Sequence, residues 1–196
     1  MAARIARRPL LGLAVSLPLL PFTARAQAEA CHATLGDDGL YHQPWFLESF
    51  LILPEDLEEA LAEGKRLAVI WELKGCPYCR ETHLVNFADP EICDYVRSNF
   101  AMLQLNLLGS RTVTDFDGEE LEERALARKY RIRFTPTIQF FPDSLDAVGG
   151  RAGREIEVAR MAGYYKPEHF LAMFRYVREK AYENATFEEF LLETLG

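Results

Sequence analysis

Apolar and polar positions along this chain follow two rhythms. Residues 66–73 carry the near-continuous apolar run Leu67-Ala68-Val69-Ile70-Trp71, which suits a central strand buried on both faces. Residues 101–107 and 135–141 read as further strands, residues 154–161 as the last, and residues 50–53 as a short first one. Between them, apolar spacings of three and four mark helices. Pro54 opens one with Leu57, Ala60 and Leu61 on one face, and Gly64 stops it. A second runs from Cys76 to about Phe87, and Asp89-Pro90 supplies an N-cap and a first-turn proline for a restart through Phe100. Residues 119–132 are helical, and Pro167 opens a helix carrying Phe170, Met173, Phe174, Val177 and Ala181. Thr186 and Glu189 form a capping box for a final short helix with Phe187, Phe190, Leu191 and Leu195. These aromatic stripes read as core. Residues 108–120 read as a small hairpin insertion around an Asp117-Gly118 turn, because Asp115 and Asp117 lack the other ligands of a calcium loop. Residues 142–153 are a loop, and residues 27–48 are an irregular lead-in whose Trp45 and Phe46 pack onto the domain beginning at residue 49.

The N-terminus has a different composition. Arg4, Arg7 and Arg8 precede an apolar run from Leu10 to Phe22, and Ala24-Arg25-Ala26 follows as a small-x-small cleavage site. Residues 1–26 therefore read as a cleaved export signal, by the general route or, from Arg7-Arg8, by the twin-arginine route. The run is too short to persist as a membrane anchor. Cys31 is no lipoprotein anchor, because Ala28-Glu29-Ala30 lacks the leucine of such a box. Cleavage removes four arginines and no acid, moving the net charge from -8 to -12. Such an acidic surface argues against nucleic acid and anionic membrane as partners. Export places the chain in the periplasm, an oxidising compartment where disulfides persist. With 196 residues, 49% of them hydrophobic, the chain is long enough for one well-cored domain.

The candidate chemistry lies where the central strand meets its helix, at Gly75-Cys76-Pro77-Tyr78-Cys79-Arg80. Cys76 falls at the N-cap with Pro77 at the first helical position, so a Cys76 thiolate meets free amides and the positive end of the helix dipole. Both lower a thiol pKa from its free value of about 8.5, which makes Cys76 the expected nucleophile. Cys79, almost one turn on, is within disulfide reach and is the expected resolving thiol. A zinc site would need a second ligand pair, and Cys31 and Cys93 are isolated in sequence. Those two form either a structural disulfide or separate buried thiols. Strand alternation puts Glu72 on the side of Ile70, where it is either a partly buried proton acceptor for the thiols or a solvent-facing partner of Lys74. His83 follows Cys79 by four residues, so Cys76, Cys79 and His83 also allow a copper or metal carrier. The plainer reading makes His83 a helix-surface residue.

Cys76-Pro77-Tyr78-Cys79 on a strand-to-helix junction, with Ala127-x-x-Tyr130-x-Ile132-x-x-Thr135-Pro136-Thr137 downstream, resembles the thioredoxin fold over residues 50–182. The implied fold is a central mixed sheet flanked by helices, here with a lead-in, an insertion after the third strand and an extra C-terminal helix. The resemblance implies that Pro136 is cis and faces the dithiol, that Thr135 offers backbone hydrogen bonds to substrate, and that Pro77 and Tyr78 help position it. Its usual buried Asp is replaced by Ile70, leaving Glu72 as the candidate carboxylate. Gln43-Pro44-Trp45-Phe46, residues 113–118 and Gly163-Tyr164-Tyr165-Lys166-Pro167 further resemble SoxW-type periplasmic thioredoxins. That likeness implies a thiol-disulfide oxidoreductase linked to sulfur-compound oxidation, with disulfide-bearing periplasmic proteins as partners and a CcdA-like membrane electron donor. Its only redox group is the Cys76–Cys79 pair, and no separate cofactor or metal is implied. The same chemistry run backwards is a DsbA-like oxidase. The cysteine spacing fits either direction.

Overall fold

The computed structural model describes residues 31–196, so the export signal expected at 1–26 and the start of the lead-in lie outside the described residues. The lead-in carries two short paired strands, β1 (Thr34–Leu35) and β2 (Tyr41–His42), where the sequence suggests only irregular chain. There follow α1 (Leu53–Ala62), β3 (Arg66–Glu72), α2 (Pro77–Glu81) running into a wider π turn (Thr82–Asn86), α3 (Pro90–Asn99) and β4 (Phe100–Asn106). The insertion is β5 (Thr112–Thr114) paired with β6 (Glu120–Glu122). The remaining elements are α4 (Glu123–Lys129), β7 (Thr137–Phe140), α5 (Leu145–Val148), β8 (Ala159–Ala162), α6 (Pro167–Arg178) and α7 (Phe187–Leu195).

The main sheet has the order β4-β3-β7-β8, with β3 parallel to β4 and antiparallel to β7. Every residue of β3 is buried, as its apolar run requires. Its odd positions Leu67, Val69 and Trp71 pack with Leu57 and Ala60 of α1 and Leu126 and Ala127 of α4. Its even positions Ala68 and Ile70 pack with Ile92 and Val96 of α3 and Phe170 and Phe174 of α6. Glu72, also even, extends that second face by one residue pair toward the dithiol. The expected class, a mixed sheet flanked by helices with a hairpin insertion and an extra C-terminal helix, is the observed one. Cys31 and Cys93 form a disulfide with Cα atoms 5.9 Å apart, which ties the lead-in to α3. Trp45 and Phe46 pack edge-on against Phe87 in the same region.

Several element boundaries differ from the sequence reading, each for a local reason. Residues 50–53 form no strand beyond one bridge from Ile52 to Thr114, because Leu51 turns the chain with φ 63° and helix α1 begins at Leu53. Residues 120–122 pair with 112–114 rather than starting the helix, which occupies Glu123–Lys129 and ends where Arg131 takes φ 55°. The last strand does not start at 154: Gly153, at φ 87°, leads into a 3-10 turn (Arg154–Ile156), and pairing with β7 is confined to Ala159–Ala162. The 142–153 loop contains the single helical turn α5, whose N-cap Ser144 Oγ accepts from the amide of Ala147. The capping box of Thr186 and Glu189 is present. Phe187 and Phe190 pack against Tyr176, but Leu195 is exposed rather than core.

Candidate active site

Strand β3 delivers the chain to the dithiol through a tight turn. Gly75 takes φ 78°, a left-handed conformation glycine adopts without steric cost, and the Cys76 amide donates to the Leu73 carbonyl at 3.1 Å. Cys76 then caps α2, with Pro77 beginning the helix and the Cys79 amide donating to Cys76 Sγ at 3.1 Å. Cys76 and Cys79 are joined as a disulfide, their Cα atoms 5.3 Å apart. Cys76 is half-buried and Cys79 buried, the asymmetry expected of an attacking and a resolving sulfur. Arg80 is exposed.

The Thr135–Pro136 bond is cis, as the resemblance implies. The Thr135 carbonyl oxygen and hydroxyl each lie 3.4 Å from Cys76 Sγ, so the loop before β7 abuts the outer sulfur. The Gly163 amide donates to the Pro136 carbonyl at 2.8 Å, holding the β8–α6 turn beside it. Tyr78, 56% exposed, stacks on Tyr164 with ring centres 6.1 Å apart. Tyr164 in turn donates to Asn86 Oδ1, and Asn86 Nδ2 donates to the Tyr165 carbonyl. Asn86, fully buried, thus fastens the end of the π turn to the turn that flanks the cis-proline. Sequence reasoning missed Asn86. It shares the buried side of the π turn with Thr82 and His83, so no apolar pattern singled it out.

On the other side of the dithiol, a depression of about 440 Å³ is walled by Leu40 and Tyr41 of the lead-in and floored by Glu72 and Leu73 beside Cys76 and Cys79. Glu72 is 1% exposed, which overturns the solvent pairing with Lys74. His83 Nε2 donates to its carboxylate, at 2.9 and 3.0 Å from the two oxygens, and the Gln104 amide donates to Oε2. With Nε2 carrying the proton, Nδ1 accepts from Gln43 Nε2 at 3.4 Å. Gln104 also donates to the Tyr41 carbonyl at 2.8 Å. Four polar side chains from the lead-in, β3, the π turn and β4 therefore meet in a buried site next to the dithiol. In such a medium each hydrogen bond strengthens, and an unpaired member is costly.

His83 is fully buried, not a surface residue, and both ring nitrogens are engaged inside this network. Among the described residues, Cys76, Cys79 and His83 do not bring their ligand atoms together, so the copper-carrier geometry is not formed. Asp115 lies in the hairpin turn, accepting from the Phe116 amide and the Tyr130 hydroxyl and paired with Lys129. These contacts give it a structural part.

The family model described as a thioredoxin-like domain matches residues 53–178. Among solved structures, the chain is similar to a thioredoxin-fold protein from Helicobacter pylori, at 21% identity over 67% of this chain and 80% of that one, with a TM-score of 0.48. It is similar to a thioredoxin from Thermus thermophilus, at 28% identity over 63% and 82%, TM-score 0.46. A thioredoxin from Aeropyrum pernix aligns at 19% identity over 78% and 93%, TM-score 0.35. No curated protein matches the chain.

Proposed function

Because the chain belongs to the thioredoxin-like domain family, we propose that it is a periplasmic thiol-disulfide oxidoreductase of the SoxW type, working as a reductant through Cys76 and Cys79. The observation that carries this reading is the placement of the more accessible sulfur, Cys76, at a helix N-cap and against Thr135 of the cis-proline loop, bonded to a buried Cys79. In the reduced protein the Cys76 thiolate attacks one sulfur of a partner disulfide and expels the other as a thiol, forming a mixed disulfide. Cys79, deprotonated, then attacks Cys76 Sγ and releases the partner's second thiol. The product is the Cys76–Cys79 disulfide. Two electrons and two protons have moved to the partner, and a membrane donor of the CcdA-like class supplies two further electrons to the Cys76–Cys79 disulfide, which takes up two protons from solvent to regenerate the dithiol.

Glu72 is our proton acceptor for Cys79. It borders the same depression as both sulfurs, and His83 and Gln104 hold its carboxylate in place. Thr135 and Pro136 position the partner's chain, with Pro77 and the exposed ring of Tyr78 flanking it. Residues 1–26 are the export signal, residues 27–48 the lead-in and residues 49–196 the thioredoxin-like domain. The basic start, the apolar run and the small-x-small site support export, and the motifs shared with SoxW-type proteins support sulfur-compound oxidation as its setting. The dithiol is the only redox group the mechanism requires.

The test is disulfide reduction by the purified chain. Cys76→Ser is expected to abolish turnover, and Cys79→Ser to accumulate trapped mixed disulfides. Turnover retained by Cys76→Ser would sink the assignment. The equilibrium potential of the pair decides direction: about -230 mV or lower fits a reductant, and about -120 mV makes it a DsbA-like oxidant.

A further inference from the structure

We propose that an arginine-lined face beside the cis-proline loop is a docking surface for an acidic segment of the disulfide-bearing partner, close in sequence to the cysteine that Cys76 attacks. The inference rests on the oxidoreductase reading and adds the kind of partner.

Helix α4 ends where Arg131 takes φ 55°, and residues 131–134 then run to Thr135, whose carbonyl meets Cys76 Sγ. Arg131 and Arg133 are exposed along this run, and Arg154 projects from the neighbouring 3-10 turn. With Phe134, Thr137 and Arg160 of the edge strand β8, they surround a depression of about 300 Å³. Arg160 is already committed, to Glu157 and to the Tyr130 carbonyl at 2.7 Å, so it braces the loop rather than waiting for a ligand. Arg131, Arg133 and Arg154 have no ion pair among the described residues; other surface cations such as Lys74, Arg80 and Arg178 lack one too, but these three are gathered around a single depression.

The chain carries 30 acids against 22 lysines and arginines. Three adjoining unpaired guanidiniums run against the charge balance of the whole surface. Among the described residues, the acids bordering this region are Glu155, exposed beside Arg154, Glu157, already held by Arg160 and Gln139, and Asp115, Asp117 and Glu119, all held by Lys129. Guanidiniums recognise carboxylates through paired N–H donors, and Phe134, 64% exposed, offers an apolar contact between them. Position fixes where the partner's acids stand. An extended chain advances roughly 3.3–3.6 Å per residue, so Arg133 and Arg131 lie within about 7 and 14 Å of Thr135 along the backbone. The complementary Asp or Glu residues then fall about two to four positions from the attacked cysteine. Attraction of this kind acts mainly on the encounter rate and is screened by salt.

The experiment uses the pre-reduced full chain and two disulfide-linked peptides, one with Asp and Glu two to four residues from cysteine and one with Ser and Gln there. The second-order rate constants are measured by stopped flow, and their ratio cancels any general change in the dithiol. The acidic peptide is expected to react about tenfold faster at 50 mM salt, with most of that advantage gone at 500 mM. The ratio should fall toward one in Arg131→Gln/Arg133→Gln/Arg154→Gln and below one in the corresponding Glu variant. Equal rates for both peptides in the unmodified protein, with disulfide reduction otherwise intact, overturn the docking surface and leave the oxidoreductase reading standing. Equal rates accompanied by oligonucleotide binding that the Glu variant loses overturn it in favour of a different anion. Reduction of neither peptide, nor of hydroxyethyl disulfide, removes the oxidoreductase reading and this surface with it.

Discussion

Replacing both Cys31 and Cys93 by alanine is expected to cost about 4 kcal/mol of stability. The bond closes a loop across a sequence separation of 62 residues, and in the chain-entropy account a loop of that length restricts the unfolded chain by about that amount. Cys93 is fully buried in α3, and the packing lost with its small sulfur is minor beside the loop-closure contribution. Urea unfolding without reductant, followed by the fluorescence of Trp45 and Trp71, reads the difference. At about 2 kcal/mol per molar urea, the midpoint should fall by roughly 2 M. The bond also anchors the lead-in, whose Leu47 amide donates to the Met102 carbonyl at 2.9 Å and whose Gln43 reaches His83. Hydrogen exchange at Leu47 should therefore accelerate more than exchange in β3, where opening requires global unfolding. A midpoint shift below about 0.5 M would refute the argument, since it would mean that the lead-in is held without the crosslink or that the crosslink does not form.

Glu72→Ala, which leaves the His83 Nε2–H and the Gln104 amide buried without their acceptor, is expected to destabilise by about 1–3 kcal/mol, measurable by the same unfolding assay. Glu72→Gln keeps the shape but removes the proton acceptor. Release of a pre-formed mixed disulfide should then slow by about 10²-fold near neutral pH and recover at higher pH, where Cys79 ionises unaided; an unchanged rate–pH profile would leave Glu72 with a purely structural part. Burial at the start of α1 pushes the Asp56 carboxyl up from 3.8 to about 6, although the Ser49 hydroxyl donating to it at 2.6 Å pulls the other way. The folded state therefore holds this proton more tightly than the unfolded chain does, and its contribution to stability falls as pH rises from about 4 to about 6. Asp56→Asn should flatten that part of the stability–pH curve and raise stability at pH 7 by on the order of 2 kcal/mol; an unaltered curve would contradict the assignment.

Much of the fold was legible because its signals are local. The apolar run of β3, the Asp89-Pro90 restart, the capping box at Thr186 and the hairpin turn at Asp117-Gly118 each depend on residues within a few positions of one another. The misplaced boundaries have two causes. Ile52 meets Thr114 through a long-range bridge that propensity does not show, while residues 120–122 fall within a helical pattern but pair in the local hairpin with 112–114.

The dithiol divides in the same way. Cys76, Pro77 and Cys79 were legible from spacing, and the cis-proline loop from its motif. The polar cluster behind them was not, because Gln43 lies 40 residues from His83, and Gln104 lies 32 from Glu72. One part of it did follow from sequence: alternation placed Glu72 on the face of Ile70, and the structure keeps it there. What alternation could not supply was a reason for a carboxylate to remain at that buried position. A buried charge without partners is expensive, so Glu72 requires polar groups to arrive from elsewhere. Gln104, the one amide in the apolar stretch of β4, and His83, on the π turn, are those groups. Ile70, where the thioredoxin resemblance expects a buried acid, lies opposite Gln104 in the β3–β4 ladder, but that amide is committed to Glu72 and the Tyr41 carbonyl, and the rest of the face is Phe87, Ile138 and the rings of α6. The carboxylate next to the thiols and its histidine thus form one unit. A substitution that moved the acid back to position 70 without moving its hydrogen-bond donors would strand it in an apolar core.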